Sequence, residues 1–111
     1  MAIGLLGAGT SADGVGTTIY TVPSGISHAV VHITAAAPGV PSTQGAGANV
    51  YVNNNVILST DLSSVGNGIF ASPASVSAML NPGDQVRVVN IYSVAAGASP
   101  AYATVSGYEV P

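Results

Sequence analysis

At 111 residues the chain is long enough for one core and not for two. Only 5% of it is charged, against about 25% in ordinary globular proteins, with no lysine and Arg87 as the only strong cation. That balance all but excludes a nucleic-acid partner, whose phosphates take several Lys or Arg contacts, and it disfavours an anionic membrane surface for the same reason.

The acids are Asp13, Asp61, Asp84 and Glu109, so solubility rests on Ser, Thr, Asn and Gly, or on surfaces that partners cover. No apolar run approaches the ~18 residues of a membrane-spanning helix, and the opening MAIGLLGAGTSADG lacks the basic start and long apolar core of a secretory signal. Cysteine is absent, which rules out disulfides and leaves the redox compartment unread.

Residues 1 to 16 hold five glycines and read as a flexible N-terminal arm attached to a body over residues 17 to 111. Ile3, Leu5 and Leu6 are out of place in a solvated tail, which would be polar. They are expected to be buried against a partner subunit, and an extended arm of this length reaches roughly 50 Å.

Thr17 to Val22 predicts the first strand of the body, with Tyr20 and Val22 on one face. Pro23-Ser24-Gly25 supplies a turn, and Ser27 to Ala36 predicts a second strand rich in Val, Ile and Thr. Both histidines of the chain, His28 and His32, fall on it. On a helix their spacing would stack the rings about 6 Å apart. On a strand, at ~3.3 Å per residue, it separates them by roughly 13 Å, too far for one metal ion with bonds of ~2 Å. No metal or other cofactor is expected within one chain. The alternatives are two half-exposed strand histidines or a ring of histidines gathered on the symmetry axis of an oligomer.

A glycine-rich loop over residues 37 to 47 precedes ANVYVNNNVILST, which reads as a hairpin. A three-residue loop, Asn53-Asn54-Asn55, would pair Val52 with Val56 and Val50 with Leu58, placing four apolar side chains on one face. Ile69 to Ser72 and Ser75 to Leu80 predict two short strands separated by Pro73. Asn81-Pro82-Gly83-Asp84 has the type II turn signature, with Pro second and Gly third. Gln85 to Tyr92 follows as a strand, and Ala101 to Val110 closes the chain. Short strands joined by Gly, Pro and Asn turns, with no helical periodicity, define the expected class as all-β, a single-domain β-sandwich or jelly roll.

Catalytic groupings are missing. GTSAD over residues 9 to 13 has Asp13 where a nucleophile elbow needs its second glycine, and GAGAN over residues 45 to 49 has neither the spacing nor the lysine of a phosphate loop. The acids are scattered, each with a local explanation, so no enzymatic activity is expected. The tyrosines Tyr20, Tyr51, Tyr92, Tyr102 and Tyr108 could form a carbohydrate platform, but without Trp or clustered acids they read as ordinary strand residues.

IYTVPSGISHAVVHI, then VYVNNNVILS, then LNPGDQVRVVN resembles, over residues 18 to 92, the small β-sandwich virion proteins of tailed bacteriophages. LNPGDQVRV alone also resembles the turn and strand of jelly-roll scaffolds such as cupins, without their His-x-His metal site. The phage resemblance implies a non-enzymatic particle component, commonly trimeric. Two roles follow from it. One is a capsid decoration (cement) subunit bound to the major capsid protein on the outer surface of the head. The other is a tail-tip or fibre-tip module recognising a host surface glycan. The expected subunit and capsid contacts are the arm residues Ile3, Leu5 and Leu6. Tyr102, Tyr108 and Arg87 are candidate contacts between subunits, with a solvent-facing role open for Arg87.

Overall fold

A computed structural model describes residues 3–11, 15–37, 46–62, 71–91 and 101–111. The strands are β1 (Ile3–Ser11), β2 (Thr17–Thr21), β3 (His28–Ala37), β4 (Ala46–Val52), β5 (Asn55–Leu62), β6 (Ala71–Leu80), β7 (Gln85–Asn90) and β8 (Ala101–Val110). They form two four-stranded sheets, a front sheet in the order β1-β8-β3-β6 and a back sheet in the order β2-β7-β4-β5. Every pairing is antiparallel: first strand with last, second with seventh, third with sixth, fourth with fifth. The chain is thus one long hairpin, doubled at Asn53-Asn54 and wrapped into a sandwich. This nesting is the jelly roll, and the all-β single-domain class expected from the sequence holds.

Alternation explains which side chains enter the core. Ala29, Val31, Ile33 and Ala35 of β3, Val86 and Val88 of β7, Val50 of β4 and Ala103 and Val105 of β8 all point between the sheets and are buried. The core is graded along the strands. Tyr20, Val22, Leu80 and Val86 fill one end, where the Asn81–Asp84 turn docks by Gly83 N–H donating to Val22 O at 2.9 Å. At the other end Ala35, Ala37, Ala48 and Ala101 are small, and Ser11, Thr60 and Asn90 are buried among them. There the side-chain amide of Asn90 donates to Ser11 O, and its backbone N–H to Ser11 Oγ, both at 3.4 Å, tying β7 to β1 across the sandwich.

The Asn81–Asp84 turn is as expected: Gly83 takes φ 89°, and Asp84 N–H donates to Asn81 O at 3.0 Å. Three other expectations are corrected. Over Ile3–Ser11 the flexible arm is instead an edge strand paired along β8. Two of its glycines serve close approach: a Cβ at Gly7 would overlap the carbonyl of Ile19, and one at Gly9 would lie 2.7 Å from the Ile19 side chain. The hairpin loop has two residues, Asn53 and Asn54, pairing Val52 with Asn55 and Tyr51 with Val56. A bulge at Ile57 then restores the expected Val50–Leu58 pair, so the hydrophobic pattern is met by a bulge rather than by a longer loop. Asn53 adopts φ 56°, which asparagine tolerates. Finally, Pro73 does not separate two strands but lies within β6, an edge strand, the sheet position where proline is tolerated. Residues 38 to 45, and Ile69 and Phe70, lie outside the described residues.

A second link crosses the sandwich at the opposite end from Asn90. The buried Tyr20 hydroxyl of β2 donates to Glu109 Oε2 of β8 at 2.8 Å. Burial, then the hydrogen bond to the Glu109 carboxylate and its charge, push the Tyr20 pKa up from 10.0 to about 12. Folding therefore favours the neutral phenol. The resulting stability is fully present below pH 10.0 and is lost as pH rises through about 12. Urea melts from pH 9 to pH 12 on the wild type and Tyr20→Phe are expected to show this extra alkaline loss in the wild type only. Parallel curves would contradict the link.

Candidate functional site

Two surfaces on opposite sides of the sandwich carry the side chains of interest. The first is the outer face of the front sheet. Register places Ile3 opposite Tyr108, Tyr108 opposite Val30, and Val30 opposite Met79, so one apolar row crosses all four strands. Ile3, Met79 and Tyr108 are 73%, 67% and 44% exposed, which is far from the burial such side chains normally seek. The next row is Leu5, Ser106, His32 and Ser77. Leu5 is exposed as well, and Tyr102 lies further along β8 on the same face. Leu6 is turned inward by a register shift between Leu5 and Gly7 and packs against the core, so Ile3 and Leu5 are the pair presented outward.

Among the described residues this outer face bears no Asp, Glu, Lys or Arg. Its titratable side chains are the two strand histidines with Tyr102 and Tyr108. Ser27 Oγ lies 3.0 Å from His28 Nδ1, and Ser77 Oγ lies 3.1 Å from His32 Nδ1. Both contacts are exposed and neither imidazole meets a carboxylate among the described residues, so neither pair has the third group that orients a catalytic base. No three of His, Cys, Asp and Glu gather as metal ligands among those residues.

The second surface lies on the back sheet. Register sets Arg87 of β7 between Thr18 of β2 and Tyr51 of β4. The guanidinium carbon lies 4.8 Å from the centre of the Tyr51 ring, a cation–π contact, and Nη1 donates to Val15 O at 3.0 Å. Both contacts of this half-buried arginine lie within the chain. Beside it opens a depression of about 420 Å³ lined by Thr18, Asn53, Asn54, Gln85 and Arg87. Asn53 fixes its rim: the side-chain oxygen accepts from Gln85 N at 3.1 Å, and the side-chain NH2 donates to Asp84 Oδ1 at 3.0 Å. The hairpin tip is thereby clamped to the Asn81–Asp84 turn, whose carboxylate also accepts from Asn81 N at 2.9 Å.

The tyrosines do not make one platform among the described residues. Tyr20 is in the core, Tyr51 lies under Arg87 on the back sheet, and Tyr102 and Tyr108 are on the front sheet; Tyr92 lies outside the described residues. Sequence reasoning singled out Ile3, Leu5, Tyr108 and Arg87 but missed Val30 and Met79 of the apolar row and Tyr51 beside Arg87. The alternation Ser75, Ser77, Met79 marks an exposed strand face ending in one large apolar side chain, which was a usable signal. No protein-family model matches the chain, and no curated protein matches it.

Proposed function

We propose that the chain is a non-enzymatic capsid decoration subunit of a tailed bacteriophage, bound as a homotrimer to the major capsid protein on the outside of the head. The observation that carries this reading is the front sheet's outer face, where an apolar row crosses four strands without a permanent charge among the described residues. Such a face can meet copies of itself without desolvating ions, which otherwise costs several kcal/mol each. Burying each of Ile3, Met79 and Tyr108 contributes about 1.5–3 kcal/mol before ordering costs. The sequence resemblance to phage virion β-sandwiches supports the same role. The scarcity of cations fits an exterior position, because a component lining packaged DNA would carry more of them.

Native mass measurement tests the assembly. The wild type is expected at three times 10.8 kDa. Met79→Asp, at a position 67% exposed in the single chain, is expected to remain folded and to shift to monomer. A monomeric wild type, or a variant that trimerises as well as the wild type, would contradict the proposed use of this face.

The tail-tip reading is favoured by one observation, the polar depression beside Arg87, because a receptor-binding module needs such a recess. Copy number in the particle separates the two roles.

A further inference from the structure

We infer that the depression beside Arg87 is a binding site for a carboxylate-bearing sugar, one or two rings in size. The inference does not rest on the capsid reading, since the site lies on the back sheet, away from the apolar row.

The lining chooses the ligand class. Thr18, Asn53, Asn54, Gln85 and Arg87 offer hydroxyl, amide and guanidinium groups and no apolar side chain. Among the described lining residues an acyl chain or an apolar peptide side chain finds no aliphatic or aromatic side chain to pack on. A hydroxylated ligand would find paired donors and acceptors, because each side-chain amide supplies both. The volume of about 420 Å³ falls in the range of small-molecule sites.

Arg87 sets the charge of the ligand. It is the chain's only Lys or Arg, so the recess can satisfy one anionic group and not a polyanion. Its guanidinium is held on one face by Tyr51 and at Nη1 by Val15 O, which leaves further N–H groups of its planar fork for a carboxylate. Asp84, on the rim, is not among the described lining residues, and its two oxygens accept from Asn53 and Asn81. The wall is fixed before any ligand arrives, since Asn53 joins the hairpin tip to the turn by bonds of 3.0 and 3.1 Å. The side-chain amides of Asn54 and Gln85 have no protein partner among the described residues and stand available for sugar hydroxyls.

The test is a titration of the full chain followed by 1H–15N NMR, reading the Arg87 Nε–H and the side-chain amides of Asn54 and Gln85. The probes are glucuronate, the methyl glycoside of N-acetylneuraminate, neutral glucose and acetate. At least one acidic sugar is expected to give saturable shifts at all three residues. Glucose and acetate are each expected to bind roughly tenfold or more weakly, the first lacking the charge-assisted contact and the second lacking the hydroxyls. Arg87→Gln is expected to reduce the acidic sugar to the level of glucose. Asn54→Ala, in an exposed turn where the fold tolerates it, is expected to weaken binding severalfold while leaving the Arg87 environment intact. Absence of saturable shifts with both acidic sugars, acetate binding as tightly as they do, or undiminished affinity in both variants would each overturn the assignment.

Discussion

Gly107→Ala is expected to unfold the protein or to remove about 4 kcal/mol or more of its stability, an effect reserved for a few mechanisms. Gly107 lies on β8 at φ 144°, where an L side chain is strained. A Cβ there would also overlap the carbonyl oxygen of Val30 and lie 3.0 Å from the Val31 Cα. Both obstacles are backbone of β3, the strand that hydrogen-bonds β8 on one side and β6 on the other, so neither can yield without disrupting the middle of the front sheet. Gly25→Ala separates the two contributions: Gly25 has φ 90° but nothing within 4 Å of its added Cβ. That variant should lose only the left-handed strain, about 1–2 kcal/mol. Urea melts of the two variants give the comparison. Equal losses would mean that β8 does not approach β3 as closely as described.

Deleting residues 1 to 11 is expected to abolish the folded state or to lower its melting temperature by well over ten degrees. Loss of β1 exposes the whole hydrogen-bonding edge of β8. It uncovers Ile19, against which Gly7 and Gly9 pack, and it strips Leu6 from the core. It also removes both Ser11 acceptors of Asn90, a side chain only 6% exposed. A freely moving arm would behave oppositely, and its removal would leave the melt unchanged. Thermal melts of the truncated chain, with its NMR dispersion, decide between them. An unaltered transition would restore the arm.

The contrast shows where sequence reasoning stops. Alternation made the body legible: β2, β3, β7 and β8 lie within a residue or two of where they were read, because Val, Ile and Tyr repeat with period two and Asn81-Pro82-Gly83-Asp84 allows one turn type. Residues 3 to 11 were misread because glycine has two uses, freedom and thinness, and composition does not distinguish them. Only the presence of Ile19 beneath Gly7 reveals which applies. The hairpin register failed for a related reason, since a bulge at Ile57 meets the same hydrophobic constraint as an extra loop residue.

Legibility of the two surfaces differs likewise. The exposed row can be assembled only when four strands far apart in sequence are set in register, although each member occupies a visible alternation position. The Arg87–Tyr51 contact depends on β4 and β7 being neighbours, a pairing that nothing local in either strand specifies. Val89 and Ile91, which flank Arg87 in the alternation, gave no sign of the tyrosine beside it.

The proposed role is tested most directly by counting this chain against the major capsid protein in purified phage particles, by quantitative mass spectrometry with the location fixed by electron microscopy. A decoration subunit repeats with the symmetry of the shell, so the expected result is on the order of hundreds of copies, in trimeric clusters on the outer surface of the head. A few to a few dozen copies confined to the tail, or no copies on the outside of the head, would contradict it.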